Sequence, residues 1–171
     1  KIIMKGKLSI SPLINELPGP ILVVGASGFV GANLLRQLLE VREDVVGTFF
    51  SGDSWRLQGI PTGNTYFLNL HDQSNVRTVL ARVAPQVVFD CSSFGAYSFE
   101  QDAERIHATN YTCLIRLLEE LSSMPIHAYI HAGSSSEYGL NADAPTEKDY
   151  CLPNSHYAVS KCAAAAAISY F

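Results

Sequence analysis

Two side chains with clear chemical potential, Tyr157 and Lys161, lie four positions apart near the end of the sequence. On a helix this spacing places a phenol and an ammonium on the same face. A free phenol ionises at too high a pH to serve as a base near neutrality, but an adjacent cation favours the phenolate. Tyr157 is therefore a candidate for proton exchange with a substrate hydroxyl or carbonyl group. The alternative is an ordinary half-exposed helix surface, since such pairs also occur by chance.

A glycine-rich turn near the start of the sequence is a candidate anion site. The order Gly25-Ala-Ser-Gly28-Phe-Val-Gly31 directly follows the apolar run 21–24. Without Cβ atoms, Gly25 and Gly28 let the backbone approach a pyrophosphate, and a helix beginning near Gly28 offers free N–H groups and a favourable dipole. Gly31 lets that helix pack closely on the strand. The spacing differs from the commoner Gly-x-Gly-x-x-Gly fingerprint, so a turn without a ligand is the alternative.

The elements that position these residues follow from the apolar pattern, in which strand-like runs alternate with segments of helical period. This alternation predicts an α/β fold, a Rossmann-like doubly wound parallel sheet. The carboxyl edge of such a sheet is where ligands bind, and a run of three serines follows the last predicted strand there. The predicted strands are residues 20–25, 44–49, 65–68, 86–90 and 127–132.

Helices are predicted from apolar stripes near residues 34–39, 76–83 and 102–121, and the segment 154–171 forms a fourth, alanine-rich helix. Asn110 falls on the apolar stripe of the third helix, where a buried amide needs hydrogen-bond partners. His127 and His131 lie four apart on the last strand, about 13 Å from each other, too far to share a metal. We expect structural roles for both histidines and no metal site.

Composition excludes several classes of function. Twelve basic and sixteen acidic residues, without a block of like charge, give no electrostatic reason to bind nucleic acid or an anionic membrane. The apolar runs fall far short of the about 20 residues of a membrane span. Four scattered cysteines without a Cys-x-x-Cys pair favour reduced thiols in the cytoplasm. With 171 residues, the chain is long enough for one domain, which we predict to be residues 20–171. We predict that residues 1–19 form an N-terminal extension, which does not resemble a signal peptide.

Taken in order, these features resemble the extended short-chain dehydrogenase/reductases, the family of nucleotide-sugar epimerases and dehydratases. The resemblance covers nearly the whole chain from Ile21. The matching positions are Gly25, Gly28 and Gly31, Asn110, the segment Gly133-Ser-Ser-Ser-Glu-Tyr-Gly139, Pro145-Thr-Glu147, Pro153, and the pair Tyr157 and Lys161.

The resemblance implies an NAD or NADP cofactor, a nucleotide-sugar substrate and a homodimer. Tyr157 is then the catalytic acid/base, Lys161 binds the nicotinamide ribose, and Ser134 contacts the reacting oxygen, with Ser135 as the alternative. Asn110 either supports the lysine or makes a structural hydrogen bond. The expected cofactor-binding residues are Gly25, Ser27, Gly28, Phe29, Val30, Gly31, Phe49, Ser51, Asn69, Leu70, Ser92, Ser93 and Lys161.

Several positions depart from the family pattern. The second strand ends without the usual acidic residue, and Asp53 comes several residues late, so Ser51 or Arg56 is a candidate to meet a 2′-phosphate and the choice between NAD and NADP stays open. Asp90 stands where the family usually shows a histidine and has no explanation from the sequence.

The serine run also bears on the reaction. A 4,6-dehydratase is expected to show an Asp-Glu pair where this chain has Ser135 and Ser136, with Glu137 one place late. This favours an NAD(P)-dependent epimerase or reductase, with a dehydratase or a non-catalytic NAD(P)-binding domain as alternatives. Relatives supply a substrate-binding part after the position of Phe171. We therefore expect that part to be absent here, and the 102–121 and terminal helices to mediate self-association.

Overall fold

A computed structural model describes residues 11–51, 54–141 and 143–171. Its centre is a five-stranded parallel sheet in the order β3-β2-β1-β4-β5, which confirms the predicted Rossmann-like fold. The strands are β1 (Ile21–Val24), β2 (Val45–Phe49), β3 (Thr65–Phe67), β4 (Val87–Asp90) and β5 (Ala128–His131).

The central strand β1 is apolar throughout because both of its faces are covered by helices. Ile21 and Val23 point to one layer, and Leu22 and Val24 point to the other, as the alternation of a strand requires. All four side chains are buried. The sheet therefore separates two apolar cores.

Six helices cover these faces in the described part of the chain: α1 (Ser11–Glu16), α2 (Phe29–Leu39), α3 (Gln73–Val83), α4 (Ala103–His107), α5 (Cys113–Ser122) and α6 (His156–Tyr170). Helices α1 and α2 contribute to one core, and α3 and α5 contribute to the other. Helix α6 packs on α5 through Ala164, Leu114 and Leu118. None of the helices within the described ranges has the length and apolar character needed to cross a bilayer.

The predicted helix 102–121 is present but is interrupted by one π-helical turn, Ala108–Thr112. Its start is fixed by Asp102, whose carboxylate accepts a hydrogen bond from the backbone N–H of Arg105 at 3.0 Å. Asn110 lies inside the π turn and is buried. The apolar stripe is thus in place, but the turn at Asn110 is wider than the sequence period suggests.

Part of the predicted extension 1–19 packs against the domain. Ile14 of α1 is buried in the core beneath β1, and Arg42 donates hydrogen bonds to the carbonyl oxygens of Ile14 and Leu17 at 3.0 and 2.6 Å. Residues 1–10 lie outside the described residues. The segment from Ser11 onward is therefore part of the folded unit.

The strand order reverses between β2 and β4, on either side of β1. Val24 of β1 is level with Asp90 at the end of β4, so these strands end at the same edge of the sheet. In open α/β sheets the connections leaving such an edge diverge and create a crevice. The turn from β1 to α2 lies at this point.

We expect Gly31→Ala to destabilise the fold by about 1–3 kcal/mol, the usual cost of overpacking. A Cβ atom at Gly31 would overlap the Gly25 carbonyl oxygen and lie 2.9 Å from the Cα of Ala26. Urea denaturation measures this change. Gly63→Ala is the matched control, because its Cβ would meet no atom within 4 Å. Equal stability of the two variants would contradict the close approach of α2 to β1.

Candidate active site

A cavity of about 480 Å³ opens at the carboxyl edge of the sheet, where the strand order reverses. It lies between the ends of β1, β2 and β4. Seven of the thirteen predicted cofactor-binding residues line it. They are Gly25, Ser27, Gly28, Phe49, Leu70, Ser92 and Ser93.

The floor of this cavity is the β1–α2 turn. Gly25 has a φ of +74°, and a Cβ atom there would lie 2.8 Å from the backbone nitrogen of Ser92. Thr48 of β2 stabilises this turn with two hydrogen bonds. Its hydroxyl accepts from the Gly25 N–H at 3.2 Å, and its carbonyl oxygen accepts from the Ala26 N–H at 2.8 Å. Only glycine fits at position 25, because both the space and the backbone conformation exclude a side chain.

Gly28 caps α2 in an extended conformation and has no side chain to bind the first-turn N–H groups. The N–H groups at the start of an α-helix have no partner within the helix. The next two residues, Phe29 and Val30, are exposed at 73% and 58%. The N-terminus of α2, with its positive dipole end, is thus presented at the cavity rim, beside Gly28 and Ser27.

The charges around the cavity favour an anionic ligand. Arg105 supplies a cation, and its guanidinium lies 4.0 Å from the ring centre of Phe94, which also lines the cavity. Hydroxyl and imidazole groups of Thr109 and His71, 3.3 Å apart, add further polar lining. None of the described residues lining this cavity is acidic. A phosphate-bearing molecule would therefore meet donors and no carboxylate.

The opposite end of the cavity is apolar. Phe49 and Phe50 line it, and both rings lie 6.1 Å from the ring of Phe67. Six predicted cofactor-binding residues are not among the lining, namely Phe29, Val30, Gly31, Ser51, Asn69 and Lys161. The Asn69 side chain instead accepts from the His71 N–H at 3.0 Å and fixes its own turn, and Ser51 is exposed. Asp53 lies outside the described residues.

A second cavity, of about 610 Å³, is lined by Tyr157. Phe94 lines the first cavity and Gly95 lines the second, so the same loop separates the two. Ser136 lies in the lining beside Tyr157, whereas the predicted Ser134 and its alternative Ser135 do not.

A local capping box explains the placement of the serines. Ser134 begins a 3-10 turn, where its hydroxyl accepts from the Ser136 N–H at 3.2 Å while its own N–H donates to Glu137 at 2.7 Å. Its hydroxyl hydrogen remains available to a ligand. The spacing of residues in the sequence did not identify Ser136 as a candidate, because the direction of each serine side chain depends on this 3-10 turn.

Lys161 is 2% exposed and does not line the first cavity. Its ammonium nitrogen lies 2.7 Å from the His131 Nε2 and donates to the Ala132 carbonyl oxygen at 2.7 Å. The His131 Nδ1 in turn lies 3.0 Å from a carboxylate oxygen of Asp90. The sequence assigned only a structural role to His131 and none to Asp90, and the structure joins both to Lys161.

The Asp90 carboxylate is fully paired although it is buried. Ser92 donates its N–H at 2.9 Å and its hydroxyl at 2.6 Å to one oxygen, and the Tyr129 hydroxyl donates to the other at 2.7 Å. Burial opposes the charged form, but the hydrogen bonds from His131, Ser92 and Tyr129 outweigh it and hold the pKa of Asp90 below its usual value. Burial and the charge of Asp90 raise the pKa of Tyr129, so its hydroxyl stays a donor.

Asn110 links the loop between the cavities to the helix that carries Tyr157. Its amide accepts from the Phe94 N–H at 2.8 Å and donates to the Phe94 carbonyl at 2.7 Å. It also donates at 2.9 Å to the hydroxyl of Ser160, which donates at 2.7 Å to the Tyr157 carbonyl. These contacts are structural hydrogen bonds, but they reach the loop at Phe94 and α6 rather than a strand. A link from Asn110 to Lys161 stays a prediction.

The glycine turn and the first cavity thus lie at the strand switch point of a Rossmann-type fold. The sequence pattern of the NAD dependent epimerase/dehydratase family matches residues 21–171, and the chain belongs to this family. The resemblance inferred from the motifs is thereby confirmed.

The chain is also similar to curated proteins. The chain is 27% identical over 153 residues to Protein CapI of Staphylococcus aureus and 29% identical over 149 residues to the UDP-glucose 4-epimerase of Mycolicibacterium smegmatis. These alignments cover 82% and 83% of this chain but 46% and 48% of the relatives. The chain thus spans about half the length of the curated relatives it matches.

Solved structures share the fold. The enzyme WbmG of Bordetella bronchiseptica, solved in complex with NAD and UDP, matches 88% of this chain and 49% of its own, with a TM-score of 0.77 at 20% identity. The UDP-glucuronic acid 4-epimerase of Bacillus cereus, solved in complex with NAD, matches 88% of this chain and 51% of its own, with a TM-score of 0.71 at 25% identity.

We expect Asn110→Leu to lower the free energy of unfolding by at least about 2 kcal/mol, because it leaves the Phe94 backbone groups without their partner. Urea denaturation measures this loss. Asn141→Ala is the control, since Asn141 is only half-buried and donates a single bond, to the Tyr150 carbonyl at 3.3 Å. An unchanged stability of Asn110→Leu would refute the structural role and leave only a catalytic one.

Proposed function

We propose that this chain forms the cofactor-binding and proton-transfer part of an NAD(P)-dependent epimerase or reductase acting on a nucleotide-linked sugar. The observation that carries the proposal is the first cavity, where the glycine turn and the N-terminus of α2 face a lining without described carboxylates. A dinucleotide requires this combination, since its pyrophosphate needs N–H donors at close range. NAD in two structural relatives supports the same assignment.

The residues of the first cavity fit a dinucleotide along its length. The pyrophosphate would lie over Gly25 and Gly28, where a Cβ atom would take up space. The apolar end formed by Phe49, Phe50 and Leu70 would receive the adenine ring, because aromatic and aliphatic groups stack on a flat base. Ser92 and Ser93 would line the channel toward the nicotinamide. Phe29, Val30 and Gly31 contribute the first-turn N–H groups.

The bound dinucleotide supplies a hydride acceptor and donor for one sugar carbon. Tyr157 takes the proton from the hydroxyl on that carbon and returns it in the reverse step. Lys161, one helical turn from Tyr157, would contact the nicotinamide ribose. Ser134 donates a hydrogen bond to the reacting oxygen, and Ser136 is a second candidate because it shares the cavity of Tyr157.

Dehydration is less well supported than epimerisation or reduction. An eliminating enzyme needs an additional acid and base beside the catalytic tyrosine. The neighbouring carboxylate here, Glu137, accepts the Ser134 N–H at 2.7 Å within the capping box, and the two positions before it are serines. That carboxylate therefore has a structural partner already.

We expect Gly28→Val to reduce binding of NAD and NADP below detection, because a branched side chain would occupy the pyrophosphate position at the start of α2. A Cβ atom at Gly28 would lie 3.3 Å from the Gly25 carbonyl oxygen, a tight contact, so urea denaturation of the variant first checks that the fold is retained. Titration calorimetry on the full-length protein measures the affinity. Gly63→Val is the matched control. Wild-type affinity in Gly28→Val would refute the pyrophosphate assignment.

We expect Tyr157→Phe to keep the fold and nucleotide affinity but to lose at least about a hundredfold in kcat, because only the ionisable hydroxyl is removed. The measurement is turnover of UDP-sugars by the full-length protein, followed through epimer formation and nicotinamide absorbance. Tyr150→Phe is the control, since Tyr150 is 87% exposed.

Two serine variants complete this test. Ser134→Ala and Ser136→Ala identify which hydroxyl serves the reacting oxygen, through the larger loss of kcat. If Tyr157→Phe retained full turnover, proton transfer would have to be assigned to another residue.

A further inference from the structure

The ammonium group of Lys161 is buried and held by two partners, the imidazole of His131 and the carbonyl oxygen of Ala132, each at 2.7 Å. A buried cation is costly unless it is paired and hydrogen-bonded. An ammonium has three N–H donors, and these partners occupy two of them. Among the described residues, one donor remains beyond these two contacts.

The imidazole of His131 can accept that hydrogen bond because Asp90 fixes its tautomer. Asp90 and His131 are opposite each other on neighbouring strands, in parallel register. A carboxylate only accepts, so the Nδ1 facing Asp90 at 3.0 Å carries the hydrogen. An ammonium only donates, so the Nε2 lone pair of His131 receives the Lys161 N–H.

The surroundings of the three groups leave this arrangement little freedom. Tyr129 and Ser92 fill the other acceptor positions of Asp90, so the carboxylate cannot turn away from His131. Burial, with the charge of Asp90, raises the pKa of the nearby Cys91 thiol, which therefore adds no negative charge. The sum is one carboxylate, one neutral imidazole and one ammonium.

We infer that His131 and Asp90 are positioning residues that set the location of the Lys161 ammonium. They anchor it at the carboxyl end of β5, one helical turn from Tyr157. The inference rests on the proposed function, in which Lys161 binds the nicotinamide ribose. Its specific claim is that His131 acts on nucleotide binding and turnover only through Lys161.

A double-mutant cycle on the full-length protein tests this claim. The variants are Lys161→Met, His131→Phe and the double substitution, and the readouts are the dissociation constant for NAD and NADP and the kcat. We expect each single variant to weaken binding of the preferred nucleotide by about tenfold or more, equivalent to 1.4 kcal/mol. The double variant should bind no more weakly than Lys161→Met alone.

A rescue experiment separates positioning from packing. His131→Gln places a side-chain oxygen near the Nε2 position, where it can accept the ammonium N–H, so it should recover most of the affinity and kcat. His131→Asn reaches only Asp90 and should resemble His131→Phe. His127→Phe is the matched control, because His127 is exposed at the start of the same segment, and it should leave both quantities unchanged.

The outcomes are distinguishable. If Lys161→Met leaves nucleotide affinity and kcat intact, the proposed function fails. If Lys161→Met is impaired but the losses of the two single variants multiply in the double variant, His131 acts independently and the inference is overturned. If His131→Phe does not fold, the contrast between His131→Gln and His131→Asn decides, and equal behaviour of these two variants overturns the inference.

Discussion

The close approach of the β1–α2 turn to its neighbours is the constraint on which the rest of this site depends. Gly25 lies against the backbone of Ser92, and Gly31 lies against the Gly25 carbonyl oxygen, with no room for a side chain at either position. These two close contacts place the N-terminus of α2 at the edge of the sheet. The helix dipole, the N–H groups of the first turn and the crevice at the strand switch point then coincide in one place, where we propose that the pyrophosphate binds.

A second constraint is the burial of charge behind that cavity. Asp90 and Lys161 are both buried, and neither would be tolerated there without its partners. The chain of contacts from Asp90 through His131 to Lys161 ties β4, β5 and α6 together. Asn110 adds a second tie, from the loop at Phe94 to α6. Polar groups, as well as apolar packing, therefore fix the helix that carries Tyr157.

The sequence predicted the sheet and its helices closely because apolar runs and stripes report local burial directly. Each predicted strand overlaps the observed one, and the stripe Val76, Val79, Leu80 and Val83 is buried as expected. The π turn was not predictable, because its extra residue depends on contacts that Asn110 makes with Phe94 and Ser160, far away in sequence.

The site was predictable in part for the same reason. Gly25 and Gly28 could be predicted, because glycines directly after an apolar run are a local sequence pattern that indicates a turn. The pairing of Asp90 with His131 depends on the register of two strands, which no local pattern encodes. Ser136 rather than Ser134 lies beside Tyr157 because a capping box turns the serine run. Spacing along the chain identifies candidate residues, but contacts across strands decide which of them meet.

The imidazole between Asp90 and Lys161 has an electrostatic consequence. A carboxylate in direct contact with the ammonium would neutralise much of its charge, because Coulomb attraction strengthens as the distance shortens. With His131 interposed, the carboxylate balances the buried cation from farther away, while the neutral ring holds the nitrogen in place. Lys161 is then fixed in position by a neutral group, and no carboxylate forms a contact ion pair with it among the described residues.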